Sequence, residues 1–261
     1  MKIIPVTKLR NFYDSLTKLG LTAQTQLCIL KDINNADKYK RLIFLYEESK
    51  EHFRKYENID EPFLPHSISH RKPLPVNVES VSNTQDVISV LQEKQKGNNI
   101  IQVDVSAYDF IYLEREVPTY RATHAMTEEG IKGKSGSGGI DFIGFNCNDK
   151  LPVLGEIKVQ SDQNTFYALI QLLTYLSELS TPNQIDRINK RNLFRDIPNL
   201  TEKASFYLYI LSVNTKLGGI KNEILTDTQR LAARLEKDIK EIEKIVFLKM
   251  HSVTKDITII E

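Results

Sequence analysis

The sequence predicts a mixed α/β (or α+β) domain, a mixed β-sheet with helices on its faces, behind a helical N-terminal segment. Three observations predict it. Charged amphipathic stretches fill the first third, short runs rich in β-branched and aromatic residues follow from about residue 100, and helical periodicity then returns between later runs of that kind. With 261 residues the chain has room for one large domain or a core with an appendage. Apolar residues at 41% and charged residues at 26% suit a buried core and exclude disorder as the main state.

Taken in order, a short helix is expected near Lys8 to Leu19. Residues 35 to 57 set Leu42, Leu45, Tyr46, Phe53 and Tyr56 at helical spacing among charges, the pattern of a half-buried helix. From Asp60 to Asn77, Pro62, Pro65, Pro73 and Pro75 break any regular element, so the chain is divided there into a helical N-terminal part, 1–77, and a main domain, 78–261. Thr84 to Lys96 reads as a helix burying Val87, Ile88 and Leu91, stopped by Gly97-Asn98-Asn99. The period then changes. IIQVDV (100–105), DFIYLEREV (109–117), IDFIGF (140–145) and PVLGEIKV (152–159) read as strands. A helix over Asn164–Leu179, a buried strand at SFYLYILSV (205–213), a charged helix over Thr226–Glu243 and two closing strands in KIVFLKM and ITIIE complete the order. KGKSGSGG (132–139) is a water-facing loop.

Several function classes drop out. Thirty-five Lys and Arg against 34 Asp and Glu leave +1, so any grip on a polyanion comes from local clusters and not from a global field. Cys28 and Cys147 are too few for a disulfide framework, a zinc finger or a cysteine-held iron–sulfur cluster. The N-terminal apolar run is broken at Pro5 and Lys8, and no segment approaches ~18 uninterrupted apolar residues, so a cytoplasmic protein without a membrane partner is expected. Walker, GxGxxG and GxSxG motifs are absent from the sequence. His66 and His70, with prolines on both sides, read as solvated linker, and His124 as a surface or satisfied core residue.

One constellation carries chemistry. Acid-x-Lys triplets occur at Glu48-Ser49-Lys50, Asp238-Ile239-Lys240 and Glu156-Ile157-Lys158. The first two fall in amphipathic helices, whose solvated faces normally bear such charges. The third lies in a strand, where alternation puts Glu156 and Lys158 on one face and Ile157 on the other. The preceding strand opens with Asp141, and a hairpin would bring its carboxylate beside Glu156. Two hard oxygen donors on neighbouring strands suit Mg²⁺, which needs one or two protein carboxylates, and Lys158 would point into the same pocket to orient or activate water.

Asp141 followed after fourteen residues by Glu156-Ile157-Lys158 resembles the PD-(D/E)XK nuclease superfamily. Gln171 and Tyr175 in QLLTY, spaced i,i+4, look like the QxxxY motif of its RecB-like branch; Gln163 and Tyr167 repeat the spacing, and the second pair is preferred for its clearer helix. The motif's proline is missing, since Gly139 and Ile140 precede Asp141. The family's upstream acid would be Glu93, Glu114, Glu116, Glu128 or Glu129, with Glu116 favoured. The resemblance spans roughly residues 84–214 and implies a restriction-endonuclease-like fold and a metal-dependent phosphodiesterase, an endo- or exonuclease of defence or repair type. DNA is implied ahead of RNA, and a homodimer is compatible with it. Asp141, Glu156 and the carbonyl of Ile157 would hold Mg²⁺ or Mn²⁺; Lys158 would position the nucleophile; Gln171, Tyr175 and Glu116 would support the site. Lys132 and Lys134 on the loop, and Arg187, Lys190, Arg191 and Arg195 after the motif helix, are the expected phosphate contacts. The alternative is a non-catalytic nucleic-acid-binding or scaffold protein that keeps the fold.

Overall fold

The computed structural model describes residues 7–18, 22–54, 74–117, 139–159, 164–190, 199–201, 203–213 and 219–260. Their helices are α1 (Lys8–Lys18), α2 (Ala23–Ile33), α3 (Ala36–Arg54), α4 (Thr84–Asn98), α5 (Thr165–Leu179), α6 (Pro182–Lys190) and α7 (Ile220–Asp238). The strands are β1 (Phe110–Val117), β2 (Ile140–Asn146), β3 (Pro152–Lys158), β4 (Phe206–Val213), β5 (Ile242–Met250) and β6 (Ile257–Ile259). They form a mixed sheet in the order β1-β2-β3-β4-β5-β6, so the expected mixed α/β architecture is present. β1/β2, β2/β3 and β5/β6 pair antiparallel, while β3/β4 and β4/β5 pair parallel.

Parallel neighbours need crossovers, supplied by α5–α6 between β3 and β4 and by α7 between β4 and β5. Two crossovers of the same hand stepping the same way along a sheet place their helices on the same face, and α5 and α7 do share one core with Ile143, Leu154, Leu208, Ile210 and Phe247. Leu9, Leu16, Leu30, Leu42 and Tyr46 of α1, α2 and α3 belong to that same core, so the helices N-terminal to the proline run pack as part of the main body. α5 is buried almost all round, as a helix sandwiched between a sheet and an outer helical layer must be. α4 covers the opposite face with Val87, Ile88, Val90 and Leu91, over a core that contains Phe110, Phe142, Ile157 and Tyr209. A capping box between Asn83 and Asp86 starts α4, and Asn164 caps α5 by accepting the Tyr167 N–H at 3.0 Å.

Four stretches differ from the expectation. IIQVDV contributes only an isolated bridge, Ile101 to Phe110, and runs into a 3₁₀ turn at Ser106–Tyr108. Its polar groups serve both sheet edges instead. Asp104 donates its N–H to the Ile257 carbonyl at 3.2 Å and accepts the Ile259 N–H on its side chain at 2.8 Å, while Ile101 pairs with β1. The Gln95 side chain exchanges two hydrogen bonds with the backbone of Tyr112, at 2.8 and 3.0 Å, so both edges are blunted against further pairing. α2 and α6 are additional: each buries residues three apart, Leu27, Leu30 and Ile33 in one and Ile185 and Ile188 in the other. α7 begins and ends earlier than Thr226–Glu243, because Ile239 and Ile242 both enter the core and the chain turns between them into β5.

Among the described residues no helix is long and apolar enough to cross a membrane.

Candidate active site

The β2–β3 hairpin sets the geometry. Its register pairs Phe142 with Gly155 and Ile143 with Leu154, and one further step along that ladder puts Asp141 opposite Glu156. On the other side, β1 pairs Arg115 with Phe142 and Val117 with Ile140, which sets Glu116 opposite Asp141. Cross-strand partners share a face, so Asp141 and Glu156 stand in one row, which Glu116 joins in register although its φ of 48° departs from strand geometry. Alternation along β3 sends Ile157 into the α4-side core and leaves Glu156 and Lys158 on the α5 side.

The Lys158 Nζ donates to Glu156 Oε1 at 3.1 Å and to Gln171 Oε1 at 3.5 Å, and Gln171 Nε2 donates to the Tyr175 hydroxyl at 3.3 Å. The i,i+4 spacing on α5 thus brings Gln171 and Tyr175 onto the strand triplet. Asp141 Oδ2 accepts the Ile157 N–H at 2.7 Å, a main-chain tie that fixes the carboxylate across the hairpin. Glu156 is 3% exposed, Lys158 7% and Gln171 7%, whereas Asp141, Glu116 and Tyr13 are half-buried. Burial raises the Asp141 carboxyl from 3.8 to about 6 and the negative charge of Glu116 adds to the rise, against the lowering effect of the Ile157 N–H, the Lys158 ammonium and Glu156. The Tyr175 hydroxyl is held well above its ordinary range, first by burial and then by the charge of Glu156.

α1 adds residues that the motifs do not indicate. Arg10, 4% exposed, donates through Nε and Nη2 to Glu178 of α5 at 3.2, 2.8 and 3.0 Å. Its guanidinium also lies 5.0 Å from the centre of the Tyr175 ring and 5.5 Å from that of Tyr13. Glu178 is the one charged residue in the fifteen-residue α5, and a lone charge in so apolar a helix signals a buried partner. Nothing local in the sequence points to Arg10 as that partner.

The remaining sequence candidates fall elsewhere. Glu93 is exposed on α4, the helix of the opposite face, and Glu114 accepts the N–H of Arg115 at 3.1 Å. Gln163, Glu128, Glu129, His66, His70, His124, Lys132, Lys134, Arg191 and Arg195 lie outside the described residues, as do the side chains of Arg187 and Lys190 on α6. Among the described residues no group of three or more His, Cys, Asp and Glu side chains is arranged around a common metal position. The hard donors present are Asp141 and Glu156, with the backbone carbonyl of Ile157 between the two motif side chains, a set suited to Mg²⁺ or Mn²⁺ and not to a soft ion. No family model, curated protein or solved structure matches this chain.

Proposed function

We propose that this chain is a metal-dependent nuclease of PD-(D/E)XK architecture that hydrolyses phosphodiester bonds in DNA. The observation that carries the reading is the placement of Asp141 opposite Glu156 on one sheet face, with the Lys158 ammonium 3.1 Å from Glu156 and the Gln171–Tyr175 pair closing on it from the next helix. An antiparallel hairpin that bears the acids, followed by parallel strands behind crossover helices, supports the restriction-endonuclease-like assignment of the fold.

Asp141, Glu156 and the Ile157 carbonyl would hold the ion. Bound there, Mg²⁺ or Mn²⁺ supplies charge neutralisation at the phosphate. The protein's own groups do the positioning. The Ile157 N–H fixes Asp141, Gln171 holds the Lys158 ammonium beside Glu156, and Lys158 is the cation placed to orient the attacking water. Glu116 adds negative charge beside Asp141, which favours a cation there.

The low exposure of Glu156 and Lys158 favours a second reading, a nucleic-acid-binding scaffold in which the pair is structural. The deciding experiment incubates the chain with single- and double-stranded DNA and with RNA in Mg²⁺ or Mn²⁺, beside Asp141→Ala and Lys158→Ala. The nuclease reading expects cleavage that both substitutions abolish. Cleavage that survives them removes this site, and binding without cleavage in either metal favours the scaffold.

A further inference from the structure

The elements that carry the family-like motifs stop short of α1, yet α1 closes on the same cluster. Arg10 is immobilised by Glu178, so its guanidinium is committed to α5 and serves as a fixed plate with a tyrosine ring near it from each helix. Tyr175 is 1% exposed and its hydroxyl is engaged by Gln171; Tyr13, one turn along α1 from Arg10, is half-buried. Of the two rings, Tyr13 is the one a ligand can reach.

We propose that Tyr13 is a substrate contact of the site, its hydroxyl donating to a non-bridging oxygen of the nucleic-acid phosphate. This rests on the nuclease reading. A phosphodiester only accepts hydrogen bonds, and the carboxylates of the row would be committed to the ion, so a neutral donor beside them complements the phosphate oxygens. Tyr13 is tied to the cluster through the Arg10 plate it shares with Tyr175, whose hydroxyl is bonded to Gln171, the partner of Lys158. Burial pushes the Tyr13 hydroxyl up to about 12, so it carries its proton at neutral pH. The assignment gives the N-terminal helix a part in the chemistry.

Tyr13→Phe keeps the ring beside Arg10 and removes only the donor. With a fluorescein-labelled DNA oligonucleotide in Mg²⁺, kcat is expected to fall roughly tenfold to a hundredfold, near or below the usual loss for a single donor aimed at developing charge, with the melting temperature unchanged. A second readout needs no turnover: with 3-fluorotyrosine at position 13, the ¹⁹F resonance is expected to move when the oligonucleotide is added in Ca²⁺. A Tyr13→Phe variant within twofold of wild type, or a resonance that stays in place, overturns the Tyr13 contact and leaves the nuclease reading standing if the wild type cuts. A resonance that moves in a protein that cuts neither DNA nor RNA keeps the contact and overturns the nuclease. No cleavage and no movement overturns both.

Discussion

Replacing Arg10 by Met removes one half of a buried ion pair whose side chains are 5% and 0% exposed. Glu178 would then be left buried without its cation, and breaking such a pair from one side costs about 3–5 kcal/mol. Loss of the guanidinium from the Tyr175 face adds about 0.5–2 kcal/mol. Equilibrium urea unfolding followed by circular dichroism should therefore show the midpoint falling by roughly 1–2 M. The informative variant is the double one. Arg10→Met with Glu178→Met fills the same space with apolar atoms, and replacement of a buried pair by packed hydrophobes is often neutral to within about 1–2 kcal/mol. Most of the single-variant loss should return, giving a coupling energy of about 3 kcal/mol in the double-mutant cycle. A single variant within about 1 kcal/mol of wild type, or a double variant no better than the single, would refute the claim that α1 is locked onto α5 through this pair.

Two further expectations concern the hairpin. Asp141 has a raised folded-state pKa, so on acidification the folded state takes up the proton first; the resulting stabilisation is complete below the ordinary value of 3.8 and is lost as pH rises through about 6. In EDTA, wild type should lose up to about 3 kcal/mol relative to Asp141→Asn between pH 4 and pH 7; parallel stability curves for the two proteins would contradict this. In β3, a Cβ on Gly155 would stand 2.0 Å from the Phe142 ring, which is stacked on Phe110 with centroids 5.7 Å apart. Gly155→Ala should cost about 1–3 kcal/mol from overpacking and displace Glu156 next to it; an unchanged melting temperature would count against the packing described.

The strand alternation that puts Glu156 and Lys158 on one face and Ile157 on the other is a property of a few consecutive residues, which is why the motif strand, the Asp141 strand and the i,i+4 pair on α5 could be read without coordinates. The same locality explains the misses. α6 buries Ile185 and Ile188 within a stretch whose charged composition hides their spacing in the sequence, and IIQVDV has strand composition but turns Asp104 to the edge of β6. Register, too, was only half visible: the hairpin implied that Asp141 meets Glu156, whereas Glu116 opposite Asp141 depends on how β1 docks, past a bulge between Tyr112 and Glu114.

Composition and periodicity were enough for the order of the main strands and helices and for the placement of Asp141, Glu156 and Lys158 on the hairpin, because both arise from short-range spacing along the backbone. Only folding decided that α1–α3 join the main core, that Arg10 meets Glu178 across 168 residues of chain, and that Arg10 lies between the Tyr13 and Tyr175 rings. Those choices depend on which apolar faces find each other in three dimensions and on a buried carboxylate needing a cation, and neither requirement leaves a mark at any fixed distance along the sequence.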